Sequence, residues 1–464
     1  MKVKNICCIG AGYVGGPSMA VIANHCPKIQ INVVDIDENK IRKWNNIDPN
    51  KIPIFEPGLE KIIEKTRGKN LHFSSKIKEN IQLADIIFIS VNTPTKSVGI
   101  GAGEASDLKW IEKSARQISE FAEGTTIVVE KSTIPVKTAS VIRSILISNS
   151  NKKNNKKNFK VLSNPEFLAE GTAIRDLENP DRVLIGGDDE DAIKTLANIY
   201  EGWIEPEKII KTNLWSSELS KLTSNAFLAQ RISSINSVSA ICEVTGADIN
   251  EVSNSIGLDN RIGSKFLKAG PGFGGSCFKK DILNLVYLCN HYGLSEVGEY
   301  WNNVLKINEW QQKRIYENIV NKLFGTLSNK KICILGFAFK ANTNDTRESP
   351  AIHICRNLLE EGSYLSIYDP KVDKNQIKID LDNQKSKPHE ITDKIDMCSN
   401  IEEAIKDSDG IVILTEWDEF KNINWEKLSK MMRKPSWIFD TRDIIPNHKI
   451  KDIGVNVWKL GNQS

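Results

Sequence analysis

Short apolar runs separated by helix-length stretches dominate the first 200 residues. Residues 3–9 (VKNICCI) run into Gly10 and residues 31–34 (INVV) run into Asp35. Further strand-sized runs stand at 86–91 (IIFISV), 126–130 (TIVVE) and 160–163 (KVLS). This alternation predicts an α/β fold with a doubly wound parallel sheet and helices on both faces. From Trp215 to about Thr245 the chain holds no proline or glycine, and Leu228, Ile232, Ile235 and Cys242 recur at helical spacing. One helix of roughly 30 residues, about 45 Å long, is expected there. It is long enough to bridge two domains, with Gly246 as its stop. Past residue 325 the alternation begins again in KKICILGFAFK, YLSIYDP, GIVILTEW and WIFDTRD. The expected layout is two doubly wound domains, residues 1–212 and 326–464, joined by a central helical domain over 213–325.

The 464 residues are too many for one ordinary core, in keeping with that division. Acidic and basic residues nearly cancel, leaving a net charge of +3, which gives no reason to expect a nucleic-acid or membrane partner. Nine cysteines, an odd number without a C-x-x-C pair, read as reduced thiols in a cytoplasmic compartment. The six histidines show no zinc-like spacing, so no metal is expected. The start, MKVKNICCIGAGYVGGPSMAVIA, has the lysines and small apolar residues of a signal peptide, but its glycine spacing argues otherwise. No other stretch approaches a membrane-spanning run. The Lys/Asn tract at 149–158 reads as a solvated loop.

Candidate chemistry sits at two places. Gly10-x-Gly12-x-x-Gly15 follows a strand and opens a helix, and Asp35 ends the next strand. Gly10 suits the tight turn, Gly12 a close pyrophosphate and Gly15 close helix packing, while the helix N-terminus attracts phosphate. Asp35 would accept the ribose hydroxyls and repel a 2′-phosphate, which favours NAD over NADP. The first and last domains are therefore expected to be Rossmann-like, although the second repeat has only Gly336 in place of the triplet. The other place is GPGFGGSCFKKD, in which Cys277 precedes an apolar helical pattern. A helix N-terminus stabilises a thiolate, and Asp281 lies four residues on, on the same face. The other eight cysteines fit ordinary core positions. Lys221 and Asn225 share a face of the long helix, which by itself is only a pairing on a helix.

Beyond these motifs, VNTPT at 91–95, EKSTIP at 130–135, SNPEFLAEGTA at 163–173, NPDRVLIGG at 179–187, SSELSKLTSNAFLAQRISSINS at 216–237 and GFAFKANTNDTRES at 336–349 complete a long ordered match. The chain resembles the UDP-glucose/GDP-mannose dehydrogenase family, and within it the longer eukaryotic UDP-glucose dehydrogenases. That resemblance implies a four-electron, NAD-dependent oxidation of UDP-glucose to UDP-glucuronate through a thiohemiacetal and a thioester on Cys277, followed by hydrolysis. It also implies a homo-oligomer, a dimer or a hexamer, with Arg261 reaching a neighbouring subunit's site.

The roles that the resemblance implies are specific. Lys221 stabilises oxyanions, worth about 3–4 kcal/mol if it resembles one oxyanion-hole donor. Asp281 and Thr133 hold a water, Glu166 does acid–base work, and Asn225 assists. For NAD the resemblance adds Ala11, Tyr13 and Val14 to the glycine turn, with Lys40 beside Asp35. It further adds Val91, Asn92, Thr93, Pro94 and Thr95, then Ser132, Thr133 and Ile134, then Glu170, Cys277, Phe278, Lys279, Lys280 and Arg347. For the sugar nucleotide it names Glu166, Phe167, Leu168, Ala169 and Glu170, then Lys221, Leu222, Thr223, Ser224 and Asn225. The loop Lys268, Ala269, Gly270, Pro271, Gly272, Phe273 and Gly274 follows, with Phe339, Lys340 and Arg442.

Lys40 stands where animal sequences carry arginine, keeping the charge without the planar fork. Pro271 removes a backbone donor from the substrate loop, and the chain stops near Ser464 without the long polar tail of the animal enzymes. GDP-mannose and UDP-N-acetylmannosamine dehydrogenases share the layout and the cysteine, and no residue type alone reads uracil against guanine. The extent of the match favours UDP-glucose. The alternative from another class is a non-catalytic NAD-binding regulator, against which the presence of Lys221, Asn225, Cys277 and Asp281 argues.

Overall fold

The computed structural model describes residues 2–150, 157–382, 392–446, 448 and 454–462. Most of the Lys/Asn tract lies outside the described residues. The chain divides into two compact units, residues 1–224 with 283–294 and residues 225–282 with 295–464.

In the first unit eight strands form one sheet: β1 (Asn5–Ile9), β2 (Gln30–Val34), β3 (Leu71–Ser74), β4 (Ile86–Ile89), β5 (Thr125–Glu130), β6 (Asn158–Ser163), β7 (Val183–Gly187) and β8 (Ile209–Thr212). Their spatial order is β3-β2-β1-β4-β5-β6-β7-β8. Central strands are buried on both faces, which is why β1 and β4 read as continuous apolar runs. Strand periodicity divides their side chains between two cores. Ile6, Cys8, Phe88 and Val129 pack on one side, and Cys7, Ile9, Ile87 and Val128 on the other.

The expected parallel pairing holds except at β6 and β7, which pair antiparallel through Leu162↔Gly187 and Ser163↔Gly186. Strand direction is a tertiary property that apolar runs do not encode. The consequence is local and useful: residues 164–182 leave and re-enter at the carboxyl edge instead of crossing the sheet as a βαβ helix would.

In the second unit β9 (Lys331–Leu335), β10 (Tyr364–Tyr368), β11 (Ile395–Met397), β12 (Gly410–Ile413), β13 (Trp437–Asp440) and β14 (Asn456–Lys459) form a parallel sheet ordered β11-β10-β9-β12-β13-β14. This repeats the order of β1 to β6, with the same reversal beside the first strand.

The long helix runs from Leu214 to Thr245, 32 residues. Its buried stripe differs from the expected one, since Leu228 and Ile232 are only half-buried. Ala229, Ser233, Asn236 and Ser239 are buried instead, along with Ile235 and Cys242. Small and polar side chains win those positions because backbone comes close: Ser233 Oγ donates to the Val304 carbonyl at 2.8 Å, and Asn236 Oδ1 accepts the Gly270 N–H at 2.9 Å. No helix among the described residues is long and apolar enough to cross a membrane.

Trp44 anchors the first turn of the N-terminal sheet. It is fully buried, stacks on Phe73 at 4.6 Å between centroids, and donates from Nε1 to the Ala11 carbonyl at 2.9 Å. Trp44→Ala is expected to cost about 3–5 kcal/mol, as for other buried aromatics. Trp44→Phe keeps the stack and should cost less, with about 1 kcal/mol from the lost hydrogen bond. Denaturant midpoints of the two variants check the order.

Candidate active site

The turn after β1 is built from what its backbone must avoid. Gly10 has φ +111°, and a Cβ there would stand 2.2 Å from the Ser90 carbonyl oxygen. A Cβ on Gly15 would stand 2.0 Å from the Gly10 carbonyl oxygen. At Gly12, by contrast, a Cβ would meet nothing within 4 Å. The bare backbone of Gly12 therefore faces open space three residues before the helix Gly15–His25 begins. Tyr13 and Val14 complete the turn, with Val14 as the helix N-cap. A dinucleotide pyrophosphate fits such a place, since N–H groups and the helix dipole both favour an anion.

The cleft beside this turn has a volume of about 240 Å³ and opens to solvent. Gly10, Gly12, Asp35, Lys40, Val91 and Asn92 line it, and so do Trp110 and Lys113, which the sequence did not single out. Asp35 Oδ2 accepts the Ala11 N–H at 3.0 Å and the Lys40 ammonium at 2.9 Å, while Oδ1 accepts the Asp37 N–H at 3.0 Å. Burial alone would raise its pKa, but the Asp37 and Ala11 amides and the Lys40 ammonium outweigh burial. They hold the carboxyl below the usual carboxylate range. Lys40 thus has a definite partner in Asp35.

Two predicted cofactor loops are tied together at the carboxyl edge. Thr93 Oγ1 donates to the Thr133 carbonyl at 2.9 Å, and Ser132 Oγ donates to the Val91 carbonyl at 2.7 Å. Pro94 accepts the Asp107 N–H at 2.7 Å, Thr95 forms a bridge with Ser106, and Ile134 is buried.

The loop after β6 holds Glu166 among groups of opposite charge. Glu166 Oε1 accepts the N–H of Phe167 at 2.9 Å and of Leu168 at 3.3 Å, and Oε2 lies 2.9 Å from Lys131 Nζ. Burial alone would raise its pKa. Lys131 above all, with the Phe167 amide and Lys221, brings it below the usual range, so Glu166 is an anion at neutral pH. The Phe167 ring lies 3.9 Å from the Arg182 guanidinium and 5.2 Å from the buried Lys221 ammonium, both measured to the ring centroid. Arg182 also donates to Ser224 Oγ at 3.2 Å. Leu222 is buried and Thr223 half-buried on the same helix, and Ala169 N–H is held by Asp176 at 3.0 Å, next to Glu170. Lys131 and Arg182 lie inside the quoted motifs EKSTIP and NPDRVLIGG, yet their spacing along the chain carried no sign that they converge on Glu166 and Phe167.

In the second unit Cys277 immediately precedes the helix Phe278–His291, and its carbonyl accepts the Asp281 N–H at 2.8 Å. Cys277 is half-buried, with its sulfur 3.4 Å from Ser276 Oγ. Burial pushes up the thiols of the other eight cysteines, Cys8 to about 12 and Cys398 to about 11. Asp281 is 1% exposed, bonded by Asn225 Nδ2 at 2.5 Å and paired with Lys280 at 3.3 Å. The nine cysteines, all among the described residues, form no disulfide.

The glycine loop is fixed by side-chain amides. Asn308 accepts the Phe273 N–H at 2.8 Å and Gln311 donates to the Gly270 carbonyl at 2.9 Å, with Pro271 buried between them. Gly272 has φ +123°, and a Cβ on Gly274 would stand 2.5 Å from the Glu348 carbonyl oxygen. Arg442 belongs to the same cluster. It donates to the Phe339 carbonyl at 3.2 Å, pairs with Glu416 at 3.1 Å, and lies 3.3 Å from where a Gly270 Cβ would be. Lys340 lies 5.3 Å from the Phe339 ring centroid. Arg347 pairs with Asp345 at 2.5 Å and its carbonyl accepts the Gly275 N–H at 2.8 Å, while Lys279 pairs with Glu348 at 2.9 Å. Ala269 packs against the core. Lys268 is exposed, and Arg261 is 89% exposed and held by Asp259.

Comparison with known proteins matches three consecutive segments to models of the UDP-glucose/GDP-mannose dehydrogenase family: its NAD binding domain over residues 4–204, its central domain over 215–310 and its UDP binding domain over 333–447. The chain is 53% identical over 470 residues to UDP-glucose 6-dehydrogenase 1 of Glycine max, covering 98% of this chain and 96% of that one. It is 53% identical over 469 residues to UDP-glucose 6-dehydrogenase of Bos taurus, covering 100% and 94%. A solved UDP-glucose dehydrogenase from Pyrobaculum islandicum superposes with a TM-score of 0.84 at 27% identity, over 100% of this chain and 98% of that one. With its cofactor domain, helical centre and nucleotide domain in this order, the chain belongs to the UDP-glucose/GDP-mannose dehydrogenase family.

Proposed function

We propose that this chain oxidises UDP-glucose to UDP-glucuronate in two successive NAD-dependent oxidations, with Cys277 as the covalent carrier. The observation that carries the reading is the placement of Cys277. It is a half-buried residue directly before the helix Phe278–His291, with its carbonyl accepting the Asp281 N–H. The full-length likeness to UDP-glucose 6-dehydrogenases supports the choice of substrate.

The chemistry explains why a thiol is needed. Loss of a hydride and a proton from the C6 alcohol leaves an aldehyde, which has no hydroxyl from which a second hydride can be driven out. The Cys277 thiolate adds to the aldehyde carbon, and the resulting thiohemiacetal loses the second hydride to become a thioester. Water then adds, the C–S bond breaks, and the acid leaves with the thiol restored. NAD, when bound, accepts one hydride in each oxidation.

On this reading Lys221 stabilises the oxyanions at C6, and Asp281, steadied by Asn225, holds water together with Thr133. Glu166, an anion at neutral pH, accepts a proton. Residues 1–212 serve the cofactor, 213–325 the nucleophile and 326–464 the uridine nucleotide, with Lys340 and Arg442 as cations for phosphate. The chain works in a reducing, cytoplasmic setting as a homo-oligomer, a dimer or hexamer, in which the exposed Arg261 reaches a neighbour.

Counting NADH against UDP-glucose tests the carrier. Two NADH per sugar are expected from the unmodified chain and a stalled enzyme from Cys277→Ser, whereas one NADH with free aldehyde would overturn covalent catalysis. A panel of nucleotide sugars tests the substrate, and preference for GDP-mannose would sink the assignment. Asp35→Ser should raise kcat/KM with NADP relative to NAD by about tenfold, since it removes the charge that repels a 2′-phosphate. Steady-state kinetics with both cofactors check this.

A further inference from the structure

We infer that Lys131 is a positioning residue whose buried ammonium holds the Glu166 carboxylate in one place and in its ionised form. The inference deepens the reading of Glu166 given above and rests on it for its catalytic meaning.

The Lys131 side chain is 3% exposed, too deep for an unpaired charge. An ammonium has three protons to donate, and three acceptors surround it: Glu166 Oε2 at 2.9 Å, Asn164 Oδ1 at 3.0 Å and the Tyr200 hydroxyl at 3.2 Å. The Tyr200 hydroxyl donates in turn to Asn164 Oδ1 at 2.6 Å, and Asn164 Nδ2 donates to the Leu184 carbonyl at 2.8 Å. With its protons engaged, Lys131 has none left for a substrate and acts through Glu166.

Its attachments are to rigid elements. Lys131 directly follows β5, Asn164 directly follows β6, Leu184 lies in β7, and Tyr200 ends the helix Glu190–Tyr200. Glu166 itself sits outside any helix or strand. The network therefore ties an irregular loop to four regular elements, which is how a reactive carboxylate is kept in a fixed orientation. Replacing a buried pair by apolar side chains of similar volume is often neutral or stabilising, so stability alone does not account for the pair.

Facing Glu166 are Lys131, Lys221 of the long helix, Tyr200, and Ser18 Oγ at 3.5 Å on the helix Gly15–His25. Cys8 of β1 faces Lys131. Burial works against the Lys131 charge, but Glu166 and Tyr200 more than offset it, and its pKa lies above the ordinary lysine value. Removing Lys131 takes away the largest influence that holds Glu166 ionised and leaves burial opposed by the Phe167 and Leu168 amides and Lys221, so its carboxyl must rise.

Titration of the Glu166 carboxyl by ¹³C NMR, assigned by its loss in Glu166→Gln, tests this alongside kcat against pH for the full chain. In Lys131→Met the Glu166 titration and the acid limb of kcat should both move up by at least about one unit, the size of effect an adjacent opposite charge has on a carboxyl. The KM for UDP-glucose should stay within about twofold if the residue acts only through Glu166. Lys131→Gln, of similar length and without the charge, should move both in the same direction and serves in place of Lys131→Met if that variant does not fold. Unchanged titration with kcat lowered equally at every pH would reduce Lys131 to packing and overturn the inference. If instead the titration moves while Glu166→Gln keeps its kcat, the positioning stands and the acid–base reading of Glu166 falls.

Discussion

Each sheet in this protein has to satisfy backbone amides where the chain leaves its first strand, and in both sheets a carboxylate at the end of the adjacent strand does so. Asp35, after β2, accepts the Ala11 N–H. Asp369, after β10, accepts the N–H groups of Phe337 and Ala338 on one oxygen, which also receives the Trp417 indole at 3.1 Å. Its other oxygen accepts Lys371 and Val372 amides. The same geometric demand thus has two outcomes. Asp369 is saturated from within the protein and roofed by an indole. Asp35 is shared with the Lys40 ammonium, beside the open backbone at Gly12. One architecture can therefore hold a dinucleotide at the first turn while its repeat serves another ligand.

The reversal at β6 and β7 has the largest consequence for the site. A crossover helix would carry residues 164–182 over the face of the sheet. Antiparallel pairing keeps them at the carboxyl edge, where ligands of open α/β sheets gather. Irregular backbone at such an edge needs fixing, and here charge does it. Glu166 meets Lys131, the Phe167 ring has both Arg182 and Lys221 within reach, and Glu56 accepts the N–H groups of Gly171 at 2.7 Å and Ala173 at 3.1 Å.

What was legible in the sequence was what local physics dictates. Five strands of the first sheet (β1, β2, β4, β5 and β6), the glycine turn with Asp35, the long helix and the helix after Cys277 each depend on periodicity or on a few adjacent residues, whereas β3, β7 and β8 were not picked out. The Glu166 network was not legible, because Lys131, Asn164 and Tyr200 are 33 to 69 residues apart and meet only after β5, β6 and the helix Glu190–Tyr200 are packed. The buried stripe of the long helix was misjudged for a related reason. Periodicity ranks positions by hydrophobicity, whereas close backbone approach at Ser233 and Asn236 selects small size and a hydrogen-bonding group. The interleaving of residues 283–294 with the N-terminal unit is likewise invisible to a reading that moves along the chain.

Charge state finally limits which role Glu166 can take. A carboxyl buried without cations would be held protonated and would serve as an acid. Lys131 and Lys221, with two backbone amides, reverse that preference, so the resting group is a carboxylate that accepts a proton before it can give one. On the proposed reading, the first chemical act open to Glu166 is therefore that of a base. Among the steps of the proposed reaction, those that take a proton from water or from the sugar hydroxyl are the ones its environment equips it to assist.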